Sequence, residues 1–509
     1  MKRARMALAA VAMSAIMSPF ALWAEDRTLT VVAPWEIKGF DPSVTGYAFT
    51  RMEVAETLIE IGDDGLPIPA LAASWIVSED GRTWRFDLRP NVTYHDGSRM
   101  TAADVVHSLE IARGKPGVLD KVPIESIEAV GDAAVLIRLS SPFSPLLAFL
   151  AHTSAQILAP ASYAADGSVT QIVATGPYRI VSVEPPQRFT MERFDGYWGE
   201  KPEIARTMFL AAGRGETRTL LAESGDAQIV FNLDPASLQR LAGNDRLEVR
   251  AVPLPRVITM KVNAAYPPLA DAQVPRALSL AMDRQGIASA LLRQPDVAAS
   301  QLFPPGMAAW HNPDLAPLTH DPERARKILA GLGWMPGADG ILEKDGVRLA
   351  FTIRTYPDRP ELPLVATALE DQFREIGVDA TIAVGNSGDI PAGHQDGTLE
   401  AALIARNFSL VPDPLGTLMQ DFGAEGGDWG AMNWKSDALI AAIDTVLTTG
   451  DAELAEEQRR VIARILQDEL PVIPVVWYVQ TAAVSKDVEN FSIDPFERSY
   501  RLSRMRWAR

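Results

Sequence analysis

Hydrophobic and polar positions alternate most clearly early in the chain. Between Trp75 and Arg89, Trp84, Phe86 and Leu88 alternate with Arg85, Asp87 and Arg89, and Glu79-Asp80-Gly81 supplies a turn. A period of two interrupted by a turn predicts a β-hairpin with one buried face. Thr101-Ala-Ala-Asp104 has the spacing of a capping box, with Val105 and Leu109 four apart on one helical face. Farther on, Val257 to Asn263 reads as a short strand and Val274 to Asp283 as a helix. Asp321-Pro322 opens another helix, with aspartate as cap and proline in the first turn. Phe351 to Arg354 is strand-like. A helix with Val365, Leu369, Phe373 and Ile376 on one face follows, stops at Gly377, and returns as a strand from Val378 to Val384. That order predicts a βαβ unit and a partly parallel sheet. Val472 to Val484 is strand-like again, so the pattern as a whole is mixed α/β.

The chain has 509 residues, more than the roughly 250–300 that one hydrophobic core usually serves. Two or more lobes are expected. No repeat, low-complexity stretch or long linker separates them, so the chain should weave between lobes.

The first residues read as a targeting segment. Lys2, Arg3 and Arg5 precede the nearly apolar run Met6 to Phe20, and Ala24 stands before Glu25-Asp26. This is the pattern of a cleavable signal peptide over 1–24. An uncleaved anchor is the rival reading, but Ser14, Ser18 and Pro19 interrupt the run, which is short for a span of about 20 residues. Export to a bacterial periplasm is the localisation this predicts. The chain has no cysteine, which excludes disulfides, thiolate metal sites and a cysteine nucleophile. The net charge of −17 disfavours nucleic acid as a partner. Five arginines between Arg498 and Arg509 form a basic tail, read as solvated or as a contact for an acidic surface.

Catalytic patterns are missing. His95, His107, His152, His311, His320 and His394 do not pair at metal-ligand spacing. Neither a G-x-S-x-G elbow nor a phosphate-binding glycine loop occurs. No cofactor is expected, and a secreted hydrolase is only a distant alternative.

Several blocks together resemble the family 5 extracellular solute-binding proteins, which serve oligopeptide, nickel and opine-type ABC importers. They are Leu71-Ala-Ala-Ser-Trp75, Ser78 to Trp84, Phe86 to Arg89, Tyr94-His-Asp-Gly97, Thr101 to Val106, Thr175-Gly-Pro-Tyr178, Tyr197-Trp-Gly-Glu-Lys-Pro202, and Asp321 to Leu329 followed by Gly333-Trp334. The resemblance runs from about residue 28 to 490. It implies a two-lobed periplasmic binding protein of the large type II, cluster-C-like kind, with a hinge and an interlobe cleft. Residues 25–255 plus 478–509 would form lobe I, with a peripheral subdomain, and 256–477 lobe II. It also implies a monomeric receptor with no catalytic activity, partnered by a membrane permease and ATPase.

For the ligand, the resemblance points to Ala405 to Pro414. Peptide-binding relatives carry an aspartate three residues before the Asp-Pro pair; here that residue is Leu410. Arg406 matches an arginine that nickel-chelate-binding relatives use on ligand carboxylates, with Phe408 beside it. A guanidinium in a closed cleft suits a carboxylate, so the expected ligand leans to a carboxylate-bearing metal chelate or opine-like metallophore. A peptide is the alternative, as is a structural ion pair for Arg406. Thr153 stands where nickel-type relatives have a second arginine, and Gly423 to Gly430 carries no histidine, so any metal would arrive chelated. Trp35, Tyr47, Trp429 and Asn433 complete the expected binding set, the aromatic rings as cleft walls.

Overall fold

The computed structural model describes residues 27–115, 117–424 and 426–509. The signal segment expected at 1–24 lies outside these residues. The chain organises around a ten-stranded sheet. In chain order its strands are β1 (Thr28–Ala33), β2 (Tyr178–Glu184), β3 (Arg188–Arg193), β4 (Arg206–Ala211), β5 (Ile229–Phe231), β6 (Leu247–Val262), β7 (Ala350–Thr355), β8 (Asp379–Val384), β9 (Ala401–Asn407) and β10 (Val472–Ser485). Their spatial order is β8-β7-β9-β6-β10-β5-β1-β4-β3-β2.

The βαβ unit forms as the pattern predicts. β7 pairs parallel with β8 from Ala350↔Asp379 to Thr355↔Val384, joined by the helix Glu361–Glu375, which buries Val365, Leu369 and Phe373. At Gly377, φ is +81°, a conformation glycine adopts without Cβ strain. The expected strand at 257–263 is only the far half of β6, which runs 16 residues. The ten residues before Val257 carry Arg250, Pro253, Pro255 and Arg256, and pairing with β10 up to Pro253 holds them extended despite that weak strand signal.

The early hairpin, with Trp75 opposite Phe86, belongs to a separate four-stranded sheet made by Ala72–Val77, Thr83–Leu88, Ala134–Leu139 and Ile124–Val130. The capping box forms as well. Thr101 accepts from the Asp104 N–H, while the Asp104 carboxylate accepts from the Thr101 N–H at 2.9 Å. This small sheet and the helix Ala102–Arg113 share one hydrophobic cluster with Phe303, Phe408 and the helices Pro414–Phe422 and Asp437–Thr448.

Two long strands, β6 and β10, link the two halves of the sheet. β5 ends at Phe231 opposite Ala482, and β9 ends at Asn407 opposite Arg256. The C-terminal ends of both parallel sets therefore face the same short segment of β6 and β10, the position where open α/β sheets bind ligands.

Candidate functional site

At that segment the ladder between β6 and β10 slips. Pro253 pairs with Val479 and Val257 with Trp477, so Leu254-Pro255-Arg256 stands opposite Tyr478 alone. Proline lacks the N–H that a ladder needs, and the bulge interrupts the β6–β10 ladder at this point.

A cavity of about 1020 Å³ lies against this crossing. Its walls come from β6 (Pro253, Leu254, Pro255), β10 (Trp477, Tyr478, Val479), the loop Pro304 to Trp310, the segment Phe408 with Pro412 to Pro414, the turn Asp63 to Leu66 and Pro495-Phe496. Apolar and aromatic side chains dominate, as in small-molecule sites, and the volume is at the upper end of theirs. The charged lining is lopsided. Asp63, Asp64, Asp296 and Asp413 line it with one guanidinium, Arg459, and Asp63 is paired with Arg501. Asp413 caps the helix Pro414–Phe422 through the Leu415 N–H, and burial pushes its carboxyl above the ordinary range, with Arg459 opposing the shift. Nε of Arg459 is buried without a hydrogen-bond partner.

Tyr478 ends the cavity, and a polar belt lies around its ring. The guanidinium carbons of Arg256 and Arg359 stand 4.8 and 5.1 Å from the ring centroid. Arg359 donates Nη1 to the Tyr478 hydroxyl at 2.9 Å. Arg256 pairs with Glu497. Arg51 donates Nε to the Glu497 carbonyl at 2.9 Å and brings Nη2 to 3.6 Å from its carboxylate. Burial alone would raise the Glu497 carboxyl; Arg256, Arg51 and Arg359 together hold it below its usual range.

Arg406 requires a correction. Its guanidinium is 7% exposed and donates Nε and Nη2 to the two oxygens of Asp421, at 2.5 and 2.6 Å, with Gln420 Oε1 at 3.0 Å. The side expected to hold a ligand carboxylate is filled by the protein's own. The cause is local: β9 leads into the helix Pro414–Phe422, whose last turn returns Asp421 beneath the arginine. Leu410 is 46% exposed and does not line the cavity.

The other expected residues separate. Phe408 lines the cavity, its ring 5.4 Å from that of Phe303. Trp35 and Tyr47 pack edge to face at 6.3 Å and lie beside Arg51, joining the polar belt rather than the cavity. Trp429 packs edge to face on Tyr356 at 6.3 Å. Asn433 donates to the Asn263 side chain at 2.7 Å. Neither Trp429 nor Asn433 lines the cavity.

The basic tail is not solvated throughout. Arg498 is 2% exposed, donating to the Ala151 carbonyl and facing Glu60, and Arg501 pairs with Asp63. Arg256, Arg359, Glu497 and the Pro304–Trp310 loop were missed by the sequence reading. One signal was available: Arg256 is the lone charge between Leu254 and Met260, a run apolar but for Thr259. Among the described residues no group of three or more His, Asp or Glu side chains could hold a metal ion.

Two half-sheets joined by a pair of crossing strands, with a cavity at the crossing walled from both sides, form the frame of a ligand-binding protein. Residues 67–429 match the model of the bacterial extracellular solute-binding proteins, family 5, and the chain belongs to that family. It is a substrate-binding protein of the peptide, nickel and opine importer class, not an enzyme. It is 25% identical to the dipeptide-binding protein of Escherichia coli over 93% of this chain and 94% of that one. To the nickel-binding periplasmic protein of the same organism it is 26% identical, over 86% of each chain. NikA from Brucella suis, solved in complex with Fe(III)-EDTA, has the same fold, with a TM-score of 0.85 at 22% identity, covering 95% of this chain and all of that one.

Proposed function

We propose that this chain is a periplasmic receptor whose ligand is a short peptide or peptide-like zwitterion, bound in the cavity at the crossing and delivered to a membrane permease. Residues 25–255 with 478–509 act as one lobe and 256–477 as the other, turning about Leu254–Arg256 and Tyr478. The carrying observation is the charge of the cavity wall: with Asp63 paired by Arg501, the carboxylates Asp64, Asp296 and Asp413 remain against the single guanidinium of Arg459. A cationic ammonium is favoured there and a polyanionic chelate disfavoured. The lean to a carboxylate-rich chelate rested on Arg406, which Asp421 occupies. The dipeptide-binding relative supports the peptide reading; the nickel-binding one favours its rival.

The test is a thermal-shift panel on the mature chain with di- to pentapeptides, metal-free chelators and metal-loaded chelators at equal concentration. Stabilisation follows ligand concentration over Kd. Peptides should raise Tm most; a larger shift from loaded chelators overturns the reading.

A further inference from the structure

Lys261, on β6, is 0% exposed. Its Nζ donates to the Asp428 backbone carbonyl at 2.6 Å and meets Nδ1 of His394 at 2.5 Å; neither partner atom is an anion. Burial pushes the amine down to about 8, with Asp421 and Asp428 opposing and Arg406 adding to the shift, so it stays charged at neutral pH. An ammonium has donors only, so Nδ1 of His394 accepts and the imidazole is neutral, its proton on Nε2. His394 belongs to the helix Asp389–Gln395 and is only partly buried. The next residue, Gln395, donates to the Asp428 carboxylate at 2.8 Å. One lysine thereby ties this helix to the segment 426–430. That segment passes so close to the helix Pro414–Phe422 that a Cβ on Gly430 would stand 2.1 Å from the Asp421 carbonyl oxygen.

We propose that Lys261 and His394 form an acid-sensitive latch: a proton on Nδ1 of His394 removes the acceptor, sets an imidazolium against a buried ammonium and frees the helix Asp389–Gln395 from the segment 426–430. Histidine is the side chain whose charge changes in the mildly acid range, and like charges in contact at a buried position repel strongly. The surrounding charges do not cancel this. Asp421 is held through both oxygens by Arg406. On the helix side, Asp389 accepts from the Asn386 N–H and Asp396 from the Thr398 N–H. From β7, the Arg354 guanidinium lies against Gly393 and adds positive charge. Burial first, then Lys261, holds the His394 imidazole below its ordinary range against the pull of Asp428. The pKa is thus lower latched than released, so the latch is at full strength above about pH 6.5 and weakens as pH falls. The same helix lends Ile390 and Gly393 to a cavity of about 350 Å³ at the C-terminal ends of β7 and β8. None of its lining belongs to the cavity at the crossing, and the latch does not depend on the peptide reading.

Hydrogen exchange read by mass spectrometry on the full mature chain, at pH 7.5 and 5.0 and corrected for intrinsic exchange rates, tests it. The helix Glu361–Glu375 serves as internal reference. In the wild type, protection of residues 389–396 should fall about fivefold or more relative to that helix on acidification. His394→Asn keeps an acceptor near the Nδ1 position but does not titrate, and Lys261→Met removes the ammonium; each should flatten the pH dependence. No relative fall in the wild type overturns the latch. So does a fall of the same size in either variant, which would place the titrating group or the repelling charge elsewhere. If one variant fails to fold, the other decides on the same criterion.

Discussion

At the scale of single residues, Arg406 shows what a sequence position can and cannot say. The sequence marks Arg406 as a guanidinium needing a carboxylate, but its partner, Asp421, lies fifteen residues later, on a helix whose return the sequence does not show. A pair this buried contributes less than its geometry suggests, because both charges lose their hydration. Removing one partner is another matter. Arg406→Ala leaves Asp421 buried, with Lys261 as its other nearby cation, and should cost about 3–5 kcal/mol of folding stability. Urea unfolding of the ligand-free protein measures it. Unaltered stability together with lost ligand binding would restore the ligand-contact role. Replacing both partners, Arg406→Met with Asp421→Leu, should recover most of the loss, since two apolar side chains carry no unmet charge.

At the scale of elements, the blocks that carried the family resemblance prove to be joints. Tyr197 and Trp198, from the Tyr-Trp-Gly-Glu-Lys-Pro block, donate to the two oxygens of Glu56 at 3.2 and 3.0 Å, and Arg89 stacks 4.1 Å from the Trp198 ring. Gly176, from Thr-Gly-Pro-Tyr, passes so close to residues 53 and 54 that a Cβ would stand 2.3 Å from the Glu53 carbonyl oxygen. These joints explain why helix caps, the hairpin and the βαβ unit were legible: each depends on contacts within a few residues or one period. The crossing was not legible, because it depends on β6 and β10 meeting across more than 200 residues. Glu56 offers a test. Burial pushes its carboxyl to about 7 against the two hydrogen bonds and Thr175. Its pKa is thus higher folded than unfolded, so the folded state binds the proton more tightly. Stability from this group is full below about pH 4.5 and is lost as pH rises toward 7. Glu56 is partly solvent-exposed, which limits the effect to the order of 1–3 kcal/mol. Denaturant midpoints from pH 4.5 to 7.5 should fall in the wild type and flatten in Glu56→Gln; parallel curves would remove Glu56 as the cause.

At the scale of the whole molecule, the proposed closure would need contacts that exist only when the lobes meet, and one pair joins residues on either side of the proposed division. Ser144, in the segment after the small sheet, donates its N–H to the Leu447 carbonyl at 2.8 Å and its hydroxyl to the Val446 carbonyl at 3.0 Å. The acceptors belong to the last turn of the helix Asp437–Thr448, where carbonyls have no partner within the helix. On the proposed division, Ser144 belongs to one lobe and the helix to the other, so the proposed rotation would part them together with the hydrophobic cluster they share. A contact made only in the closed state stabilises that state without touching ligand. Losing one neutral hydrogen bond costs about 1 kcal/mol, which corresponds to roughly fivefold in a rate constant. Ser144→Ala keeps the backbone bond and removes the hydroxyl, so the dissociation rate of a bound peptide should rise about fivefold. Association should change little, because ligand enters the open form, in which the bond is absent. Stopped-flow tryptophan fluorescence can follow both rates, with Trp477 and Trp310 on the cavity wall as reporters. If dissociation from Ser144→Ala matches the wild type, these lobes do not part at this contact, and the hinge must lie elsewhere than at Leu254–Arg256 and Tyr478.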